Sequence, residues 1–434
     1  MRKEVSLCWF RRDLRLHDNN AFYHALHSQY PVLPVFIFDP QILDKLTDKN
    51  DKRVSLIYQT LRKLNINCLE YGSSFYVVYD EIEAAFTKII IDFDVKAVYC
   101  NHDYEPYAID RDVKIKTHLL DNDIQFNTFK DQVIFERSEI LKSDNSPYTI
   151  FTPYAKRWRQ QYNELEPQEY PSEKHLSNLL KTSEFTIPLL KDIGFEEVDA
   201  GLMDLNLNES TIEGYHKTRN IPAINGTSQI SPYLRFGMLS VRHLVKLAYQ
   251  WNETWLNELI WREFFMMILY HFPYVVRQSF KKKYDNIPWR NNEQEFDLWC
   301  RGKTGYPIVD AGMRQLNETG WMHNRVRMIV ASFLIKHLLV DWQWGEAYFA
   351  QKLLDYELSS NNGNWQWAAG SGCDSAPYFR VFNPTLQTLK FDPKLIYIKT
   401  WIKDFNKYHI PPIVEHEFAR KRALDVYKSA LNEV

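Results

Sequence analysis

Several signatures of well-defined protein classes are missing from this 434-residue sequence. Glycine is scarce, with 14 residues, and neither a P-loop nor a G-x-G-x-x-G fingerprint after the first strand is present, so the common phosphate-binding loops have no support. The five cysteines form no C-x-x-C pair, which argues against a disulfide framework or a Cys-rich zinc site. H-E-x-x-H and G-x-S-x-G are also absent, so the commonest zinc-protease and hydrolase motifs are excluded.

Charge and hydropathy exclude further classes. The net charge is −2 at pH 7, so a nucleic-acid partner would require a local basic face instead of a basic chain. No apolar run reaches the roughly 18 residues of a membrane span, and the first residues, MRKEVSLCWF, lack the apolar stretch of a signal peptide. Together with the unpaired cysteines, these features predict a protein of the reducing cytoplasm, without a metal site or a membrane partner.

Aromatic residues are the feature in excess. They make up 15% of the chain, and 13 residues are tryptophan. All of the tryptophans except Trp9 and Trp158 lie between Trp251 and Trp401. A large aromatic core is the simpler interpretation of this composition. A site that stacks on a chromophore or on nucleic-acid bases is the alternative.

The first 135 residues alternate between short β-rich runs and helical periodicity. Helices are predicted over 53–64, 74–91 and 106–120, and strands over Val5–Phe10, Val32–Phe38, Cys68–Tyr71, Val95–Asn101, Ile124–Phe126 and Val133–Phe135. This alternation predicts a doubly wound, parallel, Rossmann-like sheet. Such sheets bind ligands at the carboxyl ends of their strands.

The rest of the chain has a different pattern. Residues 165–212 are rich in Pro, Ser, Glu and Lys and have no sustained period, which predicts a long surface connector. From residue 231 onward, helical periodicity dominates. We therefore predict three segments: an α/β domain over 1–135, an interdomain linker over 136–212 and an all-helical domain over 213–434.

Hydroxyl groups cluster before one predicted helix. Ser231 followed by Pro232 is a typical helix start, with a capping hydroxyl and a proline in the first turn. With Thr227 and Ser228, three hydroxyls lie close to the free amides of that helix end. This arrangement suits a phosphate or diphosphate. On these residues alone, an ordinary capped helix is the simpler interpretation.

Polar residues also lie on helix faces that should be apolar. Glu258 and Trp261 are three residues apart and share one face, as do Asn324 and Met328, which are four apart. The segment 355–367 combines carboxylates, amides and tryptophans, and its Asn-Asn-Gly at 361–363 is predicted to break the preceding helix. Local conflicts of this kind often mark functional sites.

These residues lie within longer motifs that resemble one family. The motifs are Trp9–Asp18, Gly302–Asp310, Thr319–Arg325 and Asn361–Trp367, which read WFRRDLRLHD, GKTGYPIVD, TGWMHNR and NNGNWQW. The chain resembles the DNA photolyase/cryptochrome family, most closely its class I cyclobutane pyrimidine dimer photolyases, from Trp9 to about Tyr427. The resemblance implies an α/β antenna domain, a long linker and a helical domain that binds FAD, which is fully reduced in the active form.

The resemblance also assigns residues to the flavin. Arg327 and Asp355 would form a buried pair near the isoalloxazine ring, and Asn361 would face its N5, where signalling relatives carry Asp or Cys. Glu357 departs from the Asp that relatives often have. The residues implied to line the flavin are Tyr215, Thr227, Ser228, Ser231, Trp255, Arg262, Asn324, Arg327, Asp355 and Asn361.

The implied partner is UV-damaged DNA, bound by a monomer independently of sequence, with the dimer flipped out of the base stack. The implied contacts to the lesion and to the phosphates are Arg219, Glu258, Trp261, Asn324, Arg325, Met328, Trp367, Arg380 and Lys390. Trp365, Trp342 and Trp289 match the family's electron-transfer chain from flavin to surface, whereas Trp299 and Trp344 do not match it.

The implied activity is light-driven repair of cyclobutane pyrimidine dimers by electron transfer from reduced FAD, a carbon–carbon lyase reaction in which Glu258 and Asn361 are catalytic. A cryptochrome-like blue-light photoreceptor without repair activity is the alternative. Folate-binding relatives carry Asn-Glu and a Lys where this chain has Tyr107, Ala108 and Val276. A second antenna chromophore of the deazaflavin type is therefore favoured over folate, and an empty antenna pocket is the other alternative.

Overall fold

The computed structural model describes residues 2–164, 168–201 and 207–432 of the chain. The chain folds into two compact units, each assembled from segments that are separated in sequence. The first unit spans Met1–Glu136, Gln160–Met203 and Ser231–Leu247, and the second spans Arg137–Arg159, Asp204–Ile230 and Ala248–Val434. The division into segments at 135 and 212 stays a prediction about domain boundaries.

The first unit is built on one parallel sheet. Its 5 strands have the order β3-β2-β1-β4-β5, and every neighbouring pair is parallel. The order runs outward in both directions from β1, which confirms the predicted doubly wound sheet. The strands are β1 (Glu4–Phe10), β2 (Val32–Phe38), β3 (Tyr76–Tyr79), β4 (Asp94–Asn101) and β5 (Gln125–Phe129). The helices between these strands in the chain are α1 (Asn20–Leu26), α2 (Pro40–Leu43), α3 (Lys52–Leu69), α4 (Ile82–Asp92) and α5 (Pro106–Leu120).

Three predicted elements of this unit are wrong. Cys68 lies at the buried end of helix α3, so the strand predicted over Cys68–Tyr71 does not form. The third strand instead occupies Tyr76–Tyr79, inside the helix predicted over 74–91. Val133–Phe135 is buried but lies outside the strands. A short apolar run can be buried in any conformation, so periodicity alone does not separate a strand from a helix end or a loop.

A buried ion cluster joins distant segments of the first unit. Asp131, whose side chain is 1% exposed, accepts two hydrogen bonds of 2.8 Å from Arg15. Arg242 donates to the same carboxylate at 2.9 Å and pairs with Asp18 at 3.0 Å. Burial raises the pKa of Asp131, but the two guanidinium groups outweigh it and hold that pKa below its ordinary value.

Replacing Asp131 by Asn should destabilise the first unit by about 3–5 kcal/mol, because two buried arginines then lose their shared counter-ion. Denaturant unfolding followed by circular dichroism measures this change. Lys246→Ala is the control, because it breaks an exposed ion pair with Glu169 in the same unit and should cost at most about 1 kcal/mol. Equal effects of the two substitutions would contradict the role of the cluster.

Residues 168–201, within the predicted connector, are packed instead of looping over the surface. They form two short 3-10 helices, Ser172–Asn178 and Leu190–Ile193. The amide of Leu180 donates to the carbonyl of Val32, the first residue of β2, at 2.8 Å. The prediction of a surface connector is wrong for this stretch because six of its large apolar side chains are buried, although Leu189 is exposed; the six are Leu176, Leu179, Leu180, Leu190, Ile193 and Phe195.

The remaining helices belong mainly to the second unit, as the periodicity from residue 231 onward predicts. Its core packs aromatic and aliphatic side chains around the buried Trp299, Phe333 and Trp365. The helices are α6 (Phe151–Glu164), α7 (Glu209–Glu213), α8 (Tyr215–Thr218), α9 (Ser231–Arg235), α10 (Val241–Trp251), α11 (Glu253–His271), α12 (Glu293–Cys300), α13 (Pro307–Thr319), α14 (Asn324–Ser332), α15 (Trp342–Lys352), α16 (Leu358–Ala369), α17 (Pro384–Phe391), α18 (Ile396–Trp401) and α19 (His416–Asn432).

The predicted break at Asn361-Asn362-Gly363 does not occur, since all three residues lie inside α16. Asn362 donates its side-chain amide to the carbonyl of Val275 at 3.0 Å. A Cβ on Gly363 would lie 2.2 Å from the ring of Phe265, so α16 approaches its neighbour α11 closely at this glycine. Tertiary contacts therefore override the weak helix propensity of this triplet.

Within the described ranges, no helix combines the length and the apolar character that a membrane crossing requires. In the same part of the chain, His, Cys, Asp and Glu side chains form no group of three or more that could hold a metal ion.

Candidate functional site

The second unit contains a bidentate ion pair between Arg327 and Asp355. Arg327 on α14 donates to both carboxylate oxygens of Asp355, at 3.1 and 2.8 Å, and its Nε donates to the carbonyl of Met322 at 2.7 Å. The Asp355 side chain is 3% exposed and that of Arg327 is 24% exposed. The pair therefore fixes a partly exposed guanidinium beside a buried carboxylate.

A second buried pair joins α11 to the start of α16. Arg262 Nε lies 3.3 Å from Glu357 Oε2, and both side chains are largely buried. Glu357 is the position where the sequence departs from the aspartate common among relatives. Here the longer glutamate side chain makes the contact with Arg262, so the departure keeps an ion pair at this position.

Asn361 is oriented by Glu346. The side-chain amide of Asn361 donates to the backbone carbonyl of Glu346 at 3.0 Å and to its carboxyl Oε1 at 3.2 Å. Burial raises the pKa of Glu346 to about 7, although the hydrogen bond from Asn361 opposes the rise. The side-chain oxygen of Asn361 accepts no hydrogen bond from any residue that the structure describes, so it is available to a ligand.

The predicted hydroxyl cluster is divided between the two units. In the second unit, Trp255 donates its indole N–H to the hydroxyl of the buried Ser228 at 3.1 Å, and Thr227 lies next to Ser228 in the chain. Ser231 belongs to the first unit, where it begins α9 as predicted, although α9 is only 5 residues long. Tyr215, at the start of α8, is half-buried, and burial raises the pKa of its phenol.

Three predicted lesion contacts, Arg219, Glu258 and Trp261, are paired or stacked within the second unit. Glu258 Oε1 lies 2.6 Å from Arg219, and burial raises the pKa of Glu258 while Arg219 opposes the rise. The ring of Trp261 lies 3.7 Å from that of Phe151, with only 5° between their planes. Phe151 was not predicted, because the sequence near residue 151 gives no sign that this ring supports Trp261.

Three of the predicted phosphate and lesion contacts are arginines whose charges act on one another. Burial lowers the pKa of Arg325 most, and the positive charges of Arg219 and Arg380 lower it further. Arg325 also donates to the side-chain oxygen of Asn220 at 3.1 and 2.7 Å, so Asn220 is a positioning partner that sequence reasoning missed. The Arg380 guanidinium lies 6.0 Å from the ring of Trp367.

The remaining predicted contacts lie at the edges of this region. Arg325 and Lys390 both pack over the ring of Phe391, at 4.4 and 5.3 Å. Asn324 is exposed at the first position of α14, and Met328, one turn further along, packs partly buried against the helical core. The structure thus brings Arg219 together with Glu258, and it brings Arg325 and Lys390 together at the ring of Phe391.

The three tryptophans of the predicted electron-transfer chain belong to one aromatic core. Trp365 and Trp342 are buried in it, and Trp289 packs half-buried at its edge, where its ring lies 6.0 Å from that of Tyr427. A Cβ on Gly345 would lie 2.2 Å from the Trp365 ring, so α15, which begins at Trp342, approaches Trp365 without an intervening side chain.

In the first unit, the position that bears on folate binding is occupied by a paired tyrosine. The Tyr107 hydroxyl donates to the carboxylate of Asp39, which directly follows β2 at the carboxyl edge of the sheet. The cationic groups of Lys45 and Arg111 lie 5.4 and 5.9 Å from the Tyr107 ring. Tyr107 therefore contributes an aromatic face and a fixed hydroxyl at this edge instead of the amide of an asparagine.

The side chains of the second unit fit the FAD that the resemblance implies. Ser228 and Thr227 offer hydroxyl groups to a diphosphate, and the cations of Arg262 and Arg327 suit the carbonyl oxygens and the negative charge of a reduced flavin. The open side-chain oxygen of Asn361 suits a ring N–H donor. The donor and acceptor set is thus complementary to the chemistry of the cofactor.

Two solved structures of photolyases have a similar fold. A bacterial class III photolyase from Agrobacterium tumefaciens matches with a TM-score of 0.87 and 31% identity over 99% of this chain and 98% of that one. An archaeal photolyase from Sulfolobus tokodaii, described as containing two FAD molecules, matches with a TM-score of 0.79 and 33% identity over 98% and 100% of the two chains. Both similarities extend over nearly the whole of each chain.

Sequence comparisons agree with the fold. Residues 6–172 match the family model described as DNA photolyase, and residues 255–421 match the FAD binding domain of DNA photolyase. The deoxyribodipyrimidine photo-lyase of Escherichia coli is 35% identical over 98% of both chains, and that of Alkalihalophilus pseudofirmus is 35% identical over 97% of both. The chain belongs to the DNA photolyase family.

Proposed function

We propose that this protein is a deoxyribodipyrimidine photo-lyase, an enzyme that uses light to split cyclobutane pyrimidine dimers in DNA. The observation that carries the proposal is the Glu258–Arg219 pair, at 2.6 Å, in the same unit as the pairs predicted to hold the flavin. A carboxylate and a supported indole, Trp261 on Phe151, suit a flipped-out pyrimidine dimer, which needs both a hydrogen-bond partner and an apolar wall. The relatives from Escherichia coli and Alkalihalophilus pseudofirmus are deoxyribodipyrimidine photo-lyases.

When bound, reduced FAD supplies, on absorbing light, one electron that opens the cyclobutane ring and is afterwards returned. The chain's own residues orient the substrate. Trp261 and Trp367 form the apolar wall, while Glu258 and Asn324 hydrogen-bond to the pyrimidine edges, where negative charge develops on the dimer. Asn361, whose amide is fixed by two hydrogen bonds to Glu346, would offer its side-chain oxygen to the N–H of the flavin ring.

Duplex DNA is held by its phosphates. Arg325, Arg380 and Lys390 contribute positive charge beside aromatic rings, which gives binding that does not depend on base sequence. The protein acts as a monomer in the cytoplasm, with residues 1–135 as the antenna domain, 136–212 as the linker and 213–434 as the catalytic domain. A local basic face is sufficient for this role even though the net charge is −2.

Replacing Lys390 by Ala should weaken binding of dimer-containing DNA uniformly across sequence contexts and reduce the salt dependence of the binding constant by about 0.9 in log–log slope. Fluorescence anisotropy over a salt series measures both quantities. Lys403→Ala is the matched control, because Lys403 is an exposed lysine of the same unit and lies 3.9 Å from Glu318. An unchanged slope for the Lys390 variant would remove this residue from the phosphate contacts.

We further propose that the antenna domain takes a deazaflavin-type chromophore instead of folate. Tyr107, held by Asp39 and flanked by Lys45 and Arg111, supports a flat tricyclic ring better than a pterin that requires an asparagine amide. The archaeal relative's second FAD is also a tricyclic flavin. The absorption spectrum of the protein reconstituted with a deazaflavin or with a reduced folate tests this choice.

The decisive experiment for the main proposal uses an oligonucleotide with one cyclobutane thymine dimer. The purified protein, with its flavin chemically reduced, is illuminated or kept in the dark with this substrate. We expect loss of the dimer in the light only. Retention of the dimer in the light, with FAD bound, would contradict repair and favour a cryptochrome-like photoreceptor.

A further inference from the structure

The first amide of helix α6 is capped by a distant residue of the second unit. α6 begins at Phe151, and the preceding Ile150 has an apolar side chain that offers no hydrogen-bond acceptor. The free amides at a helix start are most often satisfied by the side chain of a Ser, Thr, Asp or Asn. Here the amide of Phe151 donates to the carboxylate of Asp374 at 3.0 Å, although the two residues are 223 positions apart in the chain. Asp374 therefore fixes the position of Phe151.

The loop that carries Asp374 is itself held at both ends. It spans residues 370–375 after α16 and begins at Gly370, which ends that helix with a φ of +89°. The hydroxyl of Ser375 donates to the carbonyl of Gly370 at 2.6 Å, which closes the loop. The ammonium group of Lys281 donates to the hydroxyl of Ser375 at 2.7 Å. The Asp374 carboxylate is thus presented to α6 by a fixed loop.

Phe151 supports Trp261, the indole proposed to contact the lesion. The two rings lie 3.7 Å apart and nearly parallel, with 5° between their planes. Both rings also pack edge-on against the buried Phe264, at 5.9 and 5.5 Å between ring centres. Because Phe151 covers one face of the indole, a pyrimidine can stack only on the other face. The plane that Trp261 offers to the lesion therefore depends on Phe151.

We propose that Asp374 is a positioning residue through which the protein discriminates between dimer-containing and undamaged DNA. The inference rests on the proposed function, in which Trp261 is part of the apolar wall for the flipped-out dimer. With the Phe151 amide bound to Asp374, the wall is formed in every molecule. Without that hydrogen bond the wall is formed in only a fraction of the molecules, and the apparent affinity for the dimer falls by that fraction. Undamaged DNA keeps its bases stacked and does not use the wall.

The charge of Asp374 must be separated from its hydrogen bond. Arg380, a proposed phosphate contact, lies six residues further along the chain, so removing a negative charge here should strengthen the binding of any DNA. Asparagine caps a helix about as well as aspartate but carries no charge, whereas alanine does neither. Comparing Asp374→Asn with Asp374→Ala therefore isolates the hydrogen bond to Phe151.

The test measures dissociation constants in the dark for two duplexes of one sequence, with and without a cyclobutane thymine dimer. The full-length, FAD-loaded protein is compared with its Asp374→Ala, Asp374→Asn and Phe151→Leu variants. Asp144→Ala is the matched control, because Asp144 is an exposed carboxylate of the same unit that accepts the amide of Ser146 at 2.9 Å. FAD content, thermal unfolding and the repair yield per photon at saturating DNA are measured for each variant, so that a loss of folding is detected separately.

We expect Asp374→Ala to lower the preference for the dimer-containing duplex over the undamaged one by about five- to tenfold, the effect of losing one helix cap. Asp374→Asn and Asp144→Ala should keep the wild-type preference, whereas Phe151→Leu should lower it as Asp374→Ala does. The repair yield at saturating DNA and the FAD content of Asp374→Ala should equal those of the wild type, because Asp374 acts on binding of the lesion alone.

An unchanged preference in Asp374→Ala would overturn the inference, and so would equal losses in Asp374→Asn and Asp374→Ala, since the hydrogen bond would then not be the cause. A loss of FAD or of repair yield at saturation in Asp374→Ala would show a general structural role instead. Light-driven repair by the wild-type protein tests the proposed function separately. A wild type that repairs the dimer while Asp374→Ala keeps its preference refutes only the role of Asp374, whereas a wild type that neither repairs nor prefers the dimer refutes both.

Discussion

Replacing Glu258 by Ala is expected to lower the yield of dimer repair per absorbed photon while FAD stays bound. Glu258 is the carboxylate proposed to contact the lesion, and its hydrogen bond would be made to a group that becomes negatively charged as the electron arrives. A hydrogen bond that involves a charged partner is worth about 1.5–3 kcal/mol, so binding of the lesion should also weaken. Repair is followed by the loss of the dimer under calibrated light, with the FAD content measured in the same sample.

The Glu258→Ala substitution also breaks the ion pair with Arg219, and the control variants are chosen to separate this effect from the loss of the lesion contact. Without Glu258, Arg219 loses the carboxylate that lies 2.6 Å away. The Glu258→Gln variant keeps the side-chain shape and should retain more repair than Glu258→Ala. Glu253→Ala is the matched control, because Glu253 begins the same helix but its side chain is 79% exposed and its partner Arg159 lies 3.5 Å away. A repair yield unchanged in Glu258→Ala would exclude Glu258 from the reaction.

The central strands β1 and β2 were predictable from sequence because nearly all of their residues are buried and most are apolar, and β4 was predictable because it buries Val95, Ala97, Val98 and Cys100. β1, β2 and β4 form within one residue of their predicted positions. The edge strand β3 has only 4 residues, of which one is fully buried, so its sequence carries little signal of a strand. The described part of the connector was misjudged for the opposite reason, since a few buried leucines fix a segment whose overall composition is polar.

The candidate site was only half predictable. Polar residues on apolar helix faces, such as Glu258 and Asn324, stand out by pattern alone. Their partners do not, because Phe151 stacks on Trp261 and Glu346 fixes Asn361 from other helices, where each is an ordinary helix residue. The contact between Trp365 and Trp299 was missed likewise, because the resemblance supplied one chain of tryptophans and only ring geometry reveals another neighbour of Trp365.

The Arg327–Asp355 pair is expected to set the reduction potential of the bound flavin from both sides. By the family resemblance the pair lies near the isoalloxazine ring, and reduction adds negative charge there. Asp355→Asn removes a negative charge and should raise the midpoint potential, whereas Arg327→Gln removes a positive charge and should lower it. Spectroelectrochemical titration of the FAD-loaded variants measures both shifts.

The two substitutions should also differ in how much they destabilise the fold, which separates electrostatics from simple loss of packing. Arg327→Gln leaves the Asp355 carboxylate, 3% exposed, without its cation, and should cost about 3–5 kcal/mol. Asp355→Asn leaves Arg327, whose side chain is 24% exposed and partly hydrated, and should cost less. Glu295→Gln, which breaks the Arg290 pair at 2.8 Å on the rim of the same unit, should move neither the potential nor FAD retention. Potentials that shift in the same direction in both variants of the pair would show that they act by loosening the pocket, because only a charge effect changes sign with the charge removed.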